Sequence, residues 1–437
     1  MTAAVTAARR MFTSLRVRNY RLYLGGQAVS LSGTWMQSVA LGWLVLELTG
    51  SGTAIGLVLA LQFLPVLLLG PLGGVLADRF DKRHLLFMTQ AAAGLLATTL
   101  GLLVLFDVIR LWMVFTLAAG LGFVNLVDNP TRQTFIFEMV GPEQLVNAVS
   151  LHAVLVNVAR VIGPAVAGAL ILTVGMAPCF LINGGSYLGV IAALAAMREA
   201  DLRPSPRQPR RPGQLRDGLR YVARTPALLT PLLMMAVIGT LTYEFQVVLP
   251  LLARFTFEGD AGTYSAMTAC MGAGAVVGGL LTAAAGRRGP TALAVSAVAF
   301  GVVQMAAAWA PYLWLSLGML VLVGAASITF ISLGNATLQL GSAPEMRGRV
   351  MALWGVAFMG STPVGGPLVG WIAERLGPRY GLGLGGLAAL LSGLLVYHRL
   401  ARRPVPTPVP VPAELLVPPA EPDTGEIAVP PGFITPR

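Results

Sequence analysis

The 437 residues are 55% hydrophobic and only 11% charged, with a mean hydropathy of +0.74, whereas soluble domains carry about 25% charged residues. No water-facing surface can be given to so many apolar runs of spanning length, which excludes most soluble classes. The net charge of +11, from 30 Lys and Arg against 19 Asp and Glu, lies between apolar segments rather than on one module. A membrane topology accounts for that distribution, and a nucleic-acid partner does not.

Residues 1–20 read as a basic lead-in. Arg9-Arg10-Met11-Phe12 is like a twin-arginine export signal. The run after it, however, carries Gln27, Ser30, Ser32, Thr34 and Gln37, is long enough to span, and has no small-residue cleavage site, so it is expected to be a retained first helix. A spanning helix needs about 20 mostly apolar residues. Such runs fall at 21–46, 54–77, 85–106, 111–137, 145–174 and 177–197, and then at 227–252, 261–285, 291–310, 312–340, 349–373 and 379–398. The prediction is an all-α integral membrane protein of twelve transmembrane helices, a six-helix bundle over 21–197 and another over 227–400. Pro65, Pro71, Pro164, Pro250, Pro363 and Pro367 lie inside these runs, which spanning helices tolerate where neighbours or cavity water satisfy the freed carbonyls.

Between the bundles, 198–226 reads as a cytoplasmic linker. Its first part, Arg203 to Pro212, is basic and proline-rich, hence extended. Its second part puts Leu215, Leu219 and Val222 on one helical face and Arg216, Arg220 and Arg224 on another, the pattern of a short helix on an anionic leaflet. Residues 401–437, with prolines from Pro404 to Pro436, read as a disordered cytoplasmic tail. Arginine and lysine crowd the N-terminus, the second-to-third loop, the linker and the C-terminus, while Arg110, Arg254, Arg375 and Arg379 fall on the other side. This bias predicts a bacterial-type inner (plasma) membrane protein with both termini cytoplasmic.

The halves echo each other. Pro142-Glu143 recurs as Pro344-Glu345, and Gly163-Pro164 as Gly366-Pro367; Gly74…Asp78-Arg79 has a weaker counterpart in Gly279…Arg287-Arg288. Two parallel six-helix repeats imply a cavity at their interface near mid-membrane and transport by rocking of one half against the other.

The stretch Gly74-Val-Leu-Ala-Asp78-Arg79-Phe-Asp-Lys82-Arg83 resembles the cytoplasmic signature of the major facilitator superfamily. Up to about residue 400 the chain is similar to the branch holding enterobactin exporters and multidrug and macrolide efflux proteins. That likeness rests on Arg18-Asn19-Tyr20-Arg21, Gly33-Thr34-Trp35-Met36-Gln37, Asp128-Asn-Pro130-Thr-Arg132-Gln133, Asn147-Ala148-Val149-Ser150, Arg160-Val-Ile-Gly163-Pro164, Gln246-Val-Val-Leu-Pro250 and Arg347-Gly348-Arg349-Val350. The resemblance implies the major facilitator fold and a gating role for Gly74, Asp78, Arg79 and Arg83, with Asp78 closing against the eleventh helix. Asp81 departs from it, replacing the glycine usual there. Gly163-Pro164…Gly168 resembles the signature of the superfamily's antiporters, which favours export. An arginine that many proton-coupled relatives carry in the fourth helix is missing; Thr116 and Ala118 stand four residues before Gly120 and Gly122.

Ionisable groups at mid-bilayer cost about 2.5–3.5 kcal/mol and are functional candidates by default. Glu244, flanked by Tyr243 and Gln246, is the first choice for a proton-exchanging or cation-recognising carboxylate, and Arg160 in the other half is a second candidate cavity liner. Asp128, Arg132 and Gln133 are placed at the cytoplasmic end of helix four, either in an inner gate with Arg347 or Arg349 or as a solvated helix end. Gln27, Ser30, Thr34, Trp35, Gln37, Ser38, Gln62, Asn125, Asn157 and Asn183 supply polar groups for substrate contacts or interhelical hydrogen bonds.

The reading is a secondary exporter, coupled to protons, of hydrophobic or amphiphilic compounds such as drugs or a siderophore, working as a monomer. Two alternatives stay open, a narrow-specificity lipid or metabolite transporter without proton coupling and a non-transporting membrane sensor. No P-loop is present. His84, His152 and His398 have no metal spacing, and Cys179 and Cys270 sit singly in apolar runs, so neither an enzyme nor a metal or other cofactor is expected.

Overall fold

The computed structural model describes residues 12–203, 214–286 and 289–401. The Arg9-Arg10 pair, the proline-rich part of the linker, Arg287-Arg288 and the tail from 402 onward lie outside the described residues. The helices are α1 (Arg18–Thr49), α2 (Gly52–Arg79), α3 (Lys82–Leu105), α4 (Leu111–Val140), α5 (Leu145–Val174) and α6 (Ala177–Ala195). After α7 (Gln214–Arg224) come α8 (Pro226–Leu241), α9 (Phe245–Leu251), α10 (Ala261–Ala285), α11 (Pro290–Ala308), α12 (Leu313–Gly341), α13 (Pro344–Met359), α14 (Thr362–Leu376) and α15 (Pro378–Ala401). Twelve spans are long and apolar enough to cross a membrane, the seventh made of α8 and α9 and the eleventh of α13 and α14. Among the described residues there is no strand.

Local signals set the boundaries. Asp81, the departure noted above, caps α3 by accepting the His84 amide at 2.7 Å. Ser51 caps α2, and Asp260 caps α10 by accepting the Thr263 amide at 2.9 Å. Gly50, with φ at 65°, ends α1 in the left-handed region that glycine enters without strain. Apolar side chains such as Leu95, Leu188, Leu280 and Trp314 are exposed around the bundle, as they must be where the surrounding solvent is hydrocarbon.

The halves meet along two seams, α2 against α14 and α5 against α10. Exchanging the halves converts one seam into the other, the pairing expected of a parallel repeat. Both seams are tightest at the end away from α7, called here the distal end. There Gly52 faces Gly370 and Gly56 faces Gly366 backbone to backbone, while Gly168 abuts Ser265 and Gly262 abuts Leu172. Trp43 of α1 stacks on Tyr264 of α10 with ring centroids 6.5 Å apart. Glu374 of α14 accepts from Ser51 Oγ at 2.6 Å, from Thr53 Oγ1 at 2.8 Å and from the Thr53 amide at 3.1 Å, at the N-terminus of α2, where a carboxylate suits the helix dipole. At the other end α7 lies against α13, with Gly218 beside Arg349, and the Ala343 amide donates to Tyr221 Oη at 3.2 Å.

Two spans depart from the continuous helices expected from hydropathy. The seventh breaks at Thr242–Glu244, and Leu252–Thr256 forms a π turn. The eleventh breaks at Gly360–Ser361. Apolar windows cannot register such breaks, because the flanking residues keep the average hydropathy high across the few polar residues at each break.

Candidate functional site

A cavity of about 460 Å³ lies beneath the distal closure. It runs from Val45 and Ile55 to Asn129, Arg132 and Gln133, and all its lining residues but Gln246 belong to the first half. Ser30, Thr34, Gln37 and Ser38 come from one face of α1, Gln62 from α2, Asn125 and Asn129 from α4, His152 from α5 and Tyr187 from α6. Gln37 Oε1 accepts from Asn183 Nδ2 at 2.7 Å, so the wall is held by a hydrogen bond between α1 and α6 while Gln37 still borders the cavity. Asn157 is spent on its own helix, donating to the Ala153 carbonyl at 2.8 Å.

Asp128 and Arg132 lie within α4 and are largely enclosed there, in place of the solvated helix end that the sequence left open for them. The helix runs on to Val140, and Asp128 is only 2% exposed. Its carboxylate accepts from Thr89 Oγ1 and Gln90 Nε2, both at 2.7 Å, and from Arg132 Nε at 3.0 Å. Arg132 Nη2 donates to the same carboxylate, and Nη1 donates to Gln27 Oε1 at 2.6 Å. This network ties α1, α3 and α4 together within one half. Arg347 donates to the Gln339 carbonyl at 3.0 Å, and Arg349 Nη1 contacts Met346 Sδ at 3.2 Å, both within the other half.

Near the loop after α2, Asp78 borders a surface recess with Lys82, Arg83, Glu138 and Glu199. Lys82 pairs with Glu138, and Arg83 pairs with Glu199 and donates to the Leu194 carbonyl at 2.9 Å. These bonds fasten the loop to the ends of α4 and α6. Arg79 is exposed, and Gly74 lies in the last turns of α2.

Gly163 and Pro164 are buried in an unbroken α5. A Cβ at Gly163 would stand 2.5 Å from Trp35 Cβ and 2.8 Å from the Ser32 carbonyl oxygen, so the glycine lets α5 press on α1. Beside this contact Arg160 holds its guanidinium 4.8 Å over the Trp35 ring. Gly365-Gly366, the repeat's counterpart, meets the seventh span at Thr240 and Glu244.

Glu244 sits at the break between α8 and α9 and is 3% exposed. Its Oε1 has no hydrogen-bond partner, and Thr362, in the first turn of α14, is within bonding reach of the carboxyl. A Cβ added to Gly365 would lie 2.8 Å from Oε1. The two broken spans therefore meet around one buried carboxyl. Tyr243 points elsewhere, donating its hydroxyl to the Ser327 carbonyl at 2.8 Å among Phe245, Phe300 and Phe358.

The sequence reading missed His152 and Asn129 as cavity liners and Glu374 as a bond between halves. The spacing Asn125, Asn129, Gln133 along one face of α4 was a signal for the second. No local pattern marks Glu374, whose partners lie more than 320 residues away.

Comparison with known proteins agrees with this architecture. A profile of the family described as "Transmembrane secretion effector" matches residues 10–428. An uncharacterized MFS-type transporter of Bacillus subtilis, YfiS, is 28% identical over 49% of this chain and 52% of its own length. The staphyloferrin A transporter of Staphylococcus aureus is 26% identical over 57% and 62%. The chain thus spans about half to three fifths of those two relatives. Macrolide efflux protein A of Streptococcus pyogenes is 22% identical over 88% of this chain and 95% of the relative. Among solved structures, a bacterial homologue of the human lysosomal transporter Spinster in an inward-facing, unoccupied conformation superposes with a TM-score of 0.71 at 15% identity, covering 90% of this chain and 99% of that one. The chain shares the fold of that structure, and it belongs to the transmembrane secretion effector family of the major facilitator superfamily.

Proposed function

We propose that the chain is a secondary active exporter that moves amphiphilic small molecules by alternating access, driven by proton exchange at Glu244. The observation that carries this reading is the Glu244 carboxyl, buried and with one oxygen unpartnered, where the seventh and eleventh spans both break. A buried carboxylate without a cation is costly, so its charge state and the packing of two half-helices are coupled. Broken helices at a repeat interface are where transporters of this architecture place coupling sites. The cavity of the first half supplies the substrate wall, with Gln37 and Gln246 facing it. Trp35 lies one turn from the lining residues Leu31 and Ser38 with Arg160 stacked on it, while Tyr243 is turned away toward Ser327. Relatives named for staphyloferrin A and macrolide efflux favour export.

On this reading the end bearing α7 is cytoplasmic and the structure is open toward it, the distal seams forming the outer gate. Asp78, Arg79 and Arg83, with Gly74 in the same turn region, act at the inner gate together with Arg347 and Arg349. Asp128 and Arg132 keep the inner wall rigid, and Gly163-Pro164 sets how closely α5 and α1 pack.

The test is accumulation of cationic, neutral and anionic amphiphilic dyes in an efflux-deficient bacterium, with and without a protonophore. Wild type lowers accumulation of at least one dye, the protonophore abolishes the effect, and Glu244→Gln lacks it at equal expression. Exclusion that persists in Glu244→Gln or under the protonophore would remove proton coupling from this site.

A further inference from the structure

Arg160 is a charge that the fold leaves unanswered. The five ion pairs among the described residues join Lys82 to Glu138, Arg83 to Glu199, His84 to Asp81, Arg132 to Asp128 and Arg203 to Glu143, and none involves Arg160. Its Nε is buried and has no hydrogen-bond partner. Glu244 of the other half, which could neutralise it, is turned toward Gly365 and Thr362 of α14. The guanidinium lies 4.8 Å over the Trp35 ring, with the backbone of α10 close behind the side chain at Gly272.

The position is a built one. Gly163 seats α5 closely on α1 at Trp35 Cβ and the Ser32 carbonyl, and a Cβ at Gly272 would stand 3.3 Å from Arg160 Cγ. Leu31 and Ser38, one turn to either side of Trp35 on α1, and His152, two turns before Arg160 on α5, line the cavity. Arg160 packs on Gly272 of α10, so the guanidinium lies on the seam between the halves, beside the cavity lining rather than within it. An aromatic face offsets only part of the desolvation of a buried cation. A guanidinium fork with free donors is shaped for two parallel hydrogen bonds to a planar oxyanion.

We propose that Arg160, backed by the Trp35 ring, forms a subsite for the carboxylate of an amphiphilic, aromatic or otherwise apolar substrate. The apolar body lies in the first-half cavity and the anionic group reaches the guanidinium. The substrate class is then organic anions, and lipophilic cations are disfavoured by like charge. Because Arg160 packs on Gly272 across the α5–α10 seam, an anion bound there acts on the contact between the halves, and its arrival changes the balance between the two gates. The proposal rests on the transport reading above for its purpose, but its binding chemistry is testable alone.

The test uses the full chain in lipid nanodiscs and equilibrium binding of three radiolabelled probes of one shape: 1-naphthoate, the neutral 1-naphthamide and 1-naphthylmethylammonium. Wild type is expected to bind naphthoate at least tenfold tighter than naphthamide and the ammonium weakest. Arg160→Gln equalises naphthoate and naphthamide, while Arg160→Lys, which keeps the charge, retains a preference of threefold or more. Equal affinities in wild type, a preference that survives Arg160→Gln, or no binding of any probe at millimolar concentration overturns the subsite. A normal anion preference in a protein that fails the dye assay leaves the subsite standing and sinks the transport reading instead.

Discussion

Replacing Gly56 with alanine should tip the chain out of the distally closed arrangement. The α2–α14 seam brings Gly56 onto the Gly366 carbonyl and within reach of the Pro367 nitrogen, which a Cβ at position 56 would approach to 2.6 Å. These neighbours are backbone atoms, so no rotamer relieves the contact and the helices must separate. Overpacking of this kind costs about 1–3 kcal/mol. The cost falls only on the state in which the seam is closed, so it acts wholly on the equilibrium between states, a shift of about 5- to 150-fold. Spin labels at Leu48→Cys and Leu376→Cys, exposed at the distal ends of α1 and α14, in a background lacking Cys179 and Cys270, report the separation by pulsed dipolar spectroscopy. The longer-distance population should grow at least fivefold. Gly70→Ala on the same helix is the control, because a Cβ there meets nothing within 4 Å. Identical distance distributions for wild type and Gly56→Ala, in a protein that stays folded, would refute the reasoning.

The same label pair tests the polar bond across that seam. Glu374→Ala removes acceptors for two hydroxyls and an amide at an exposed site, at about 0.5–1.5 kcal/mol per bond at most, so its shift should be smaller than that of Gly56→Ala. Asp128→Ala strands Arg132 in the protein interior; leaving half of a buried pair costs about 3–5 kcal/mol, and thermal unfolding followed by tryptophan fluorescence should show a large drop. Arg347→Ala, on an exposed side chain, should move the same midpoint little, within about 0.5 kcal/mol. Gly163→Val should abolish dye exclusion while the protein still inserts, because its side chain displaces Trp35 and with it Arg160.

How much of this was legible in the sequence follows from the length scale of each signal. Twelve apolar runs, a basic linker and a repeated Gly-Pro are local and additive, and the observed spans follow them within a few residues at most ends. Breaks at Thr242–Glu244 and Gly360–Ser361 were invisible because they depend on which helix is opposite. The enclosure of Asp128 was not legible because burial depends on the neighbouring helices, whereas the run read from hydropathy, 111–137, already contained the residue. Asp128, Arg132 and Glu138 are tolerated along α4 because each has a partner, Glu138 pairing with Lys82 of α3. Pairing of that kind is a property of neighbours, and a single sequence does not display neighbours.

The repeat also explains why Glu244 and Arg160 should be read as two sites rather than one ion pair. Gly163-Pro164 on the fifth span corresponds to Gly366-Pro367 on the eleventh; Gly163 rests on Trp35 of its own half's first span, whereas Gly366 faces Gly56 across the seam and Gly365 beside it presses on Thr240 and Glu244. Trp35 and Glu244 thus each lie beside the Gly-Pro step of their own half. Three residues before Gly163 stands Arg160, and three before Gly366 stands Pro363, next to Thr362. At one place the first half sets a cation against an aromatic ring, and at its equivalent the second half sets a carboxyl against the start of a half-helix. Had the two charges been selected to cancel, they would face each other across the seam, yet each is turned to its own half's partner. Separated in this way, one is free to take an anion from the cavity and the other to exchange a proton, and the rigid packing that holds each glycine gives both events a means of moving a helix.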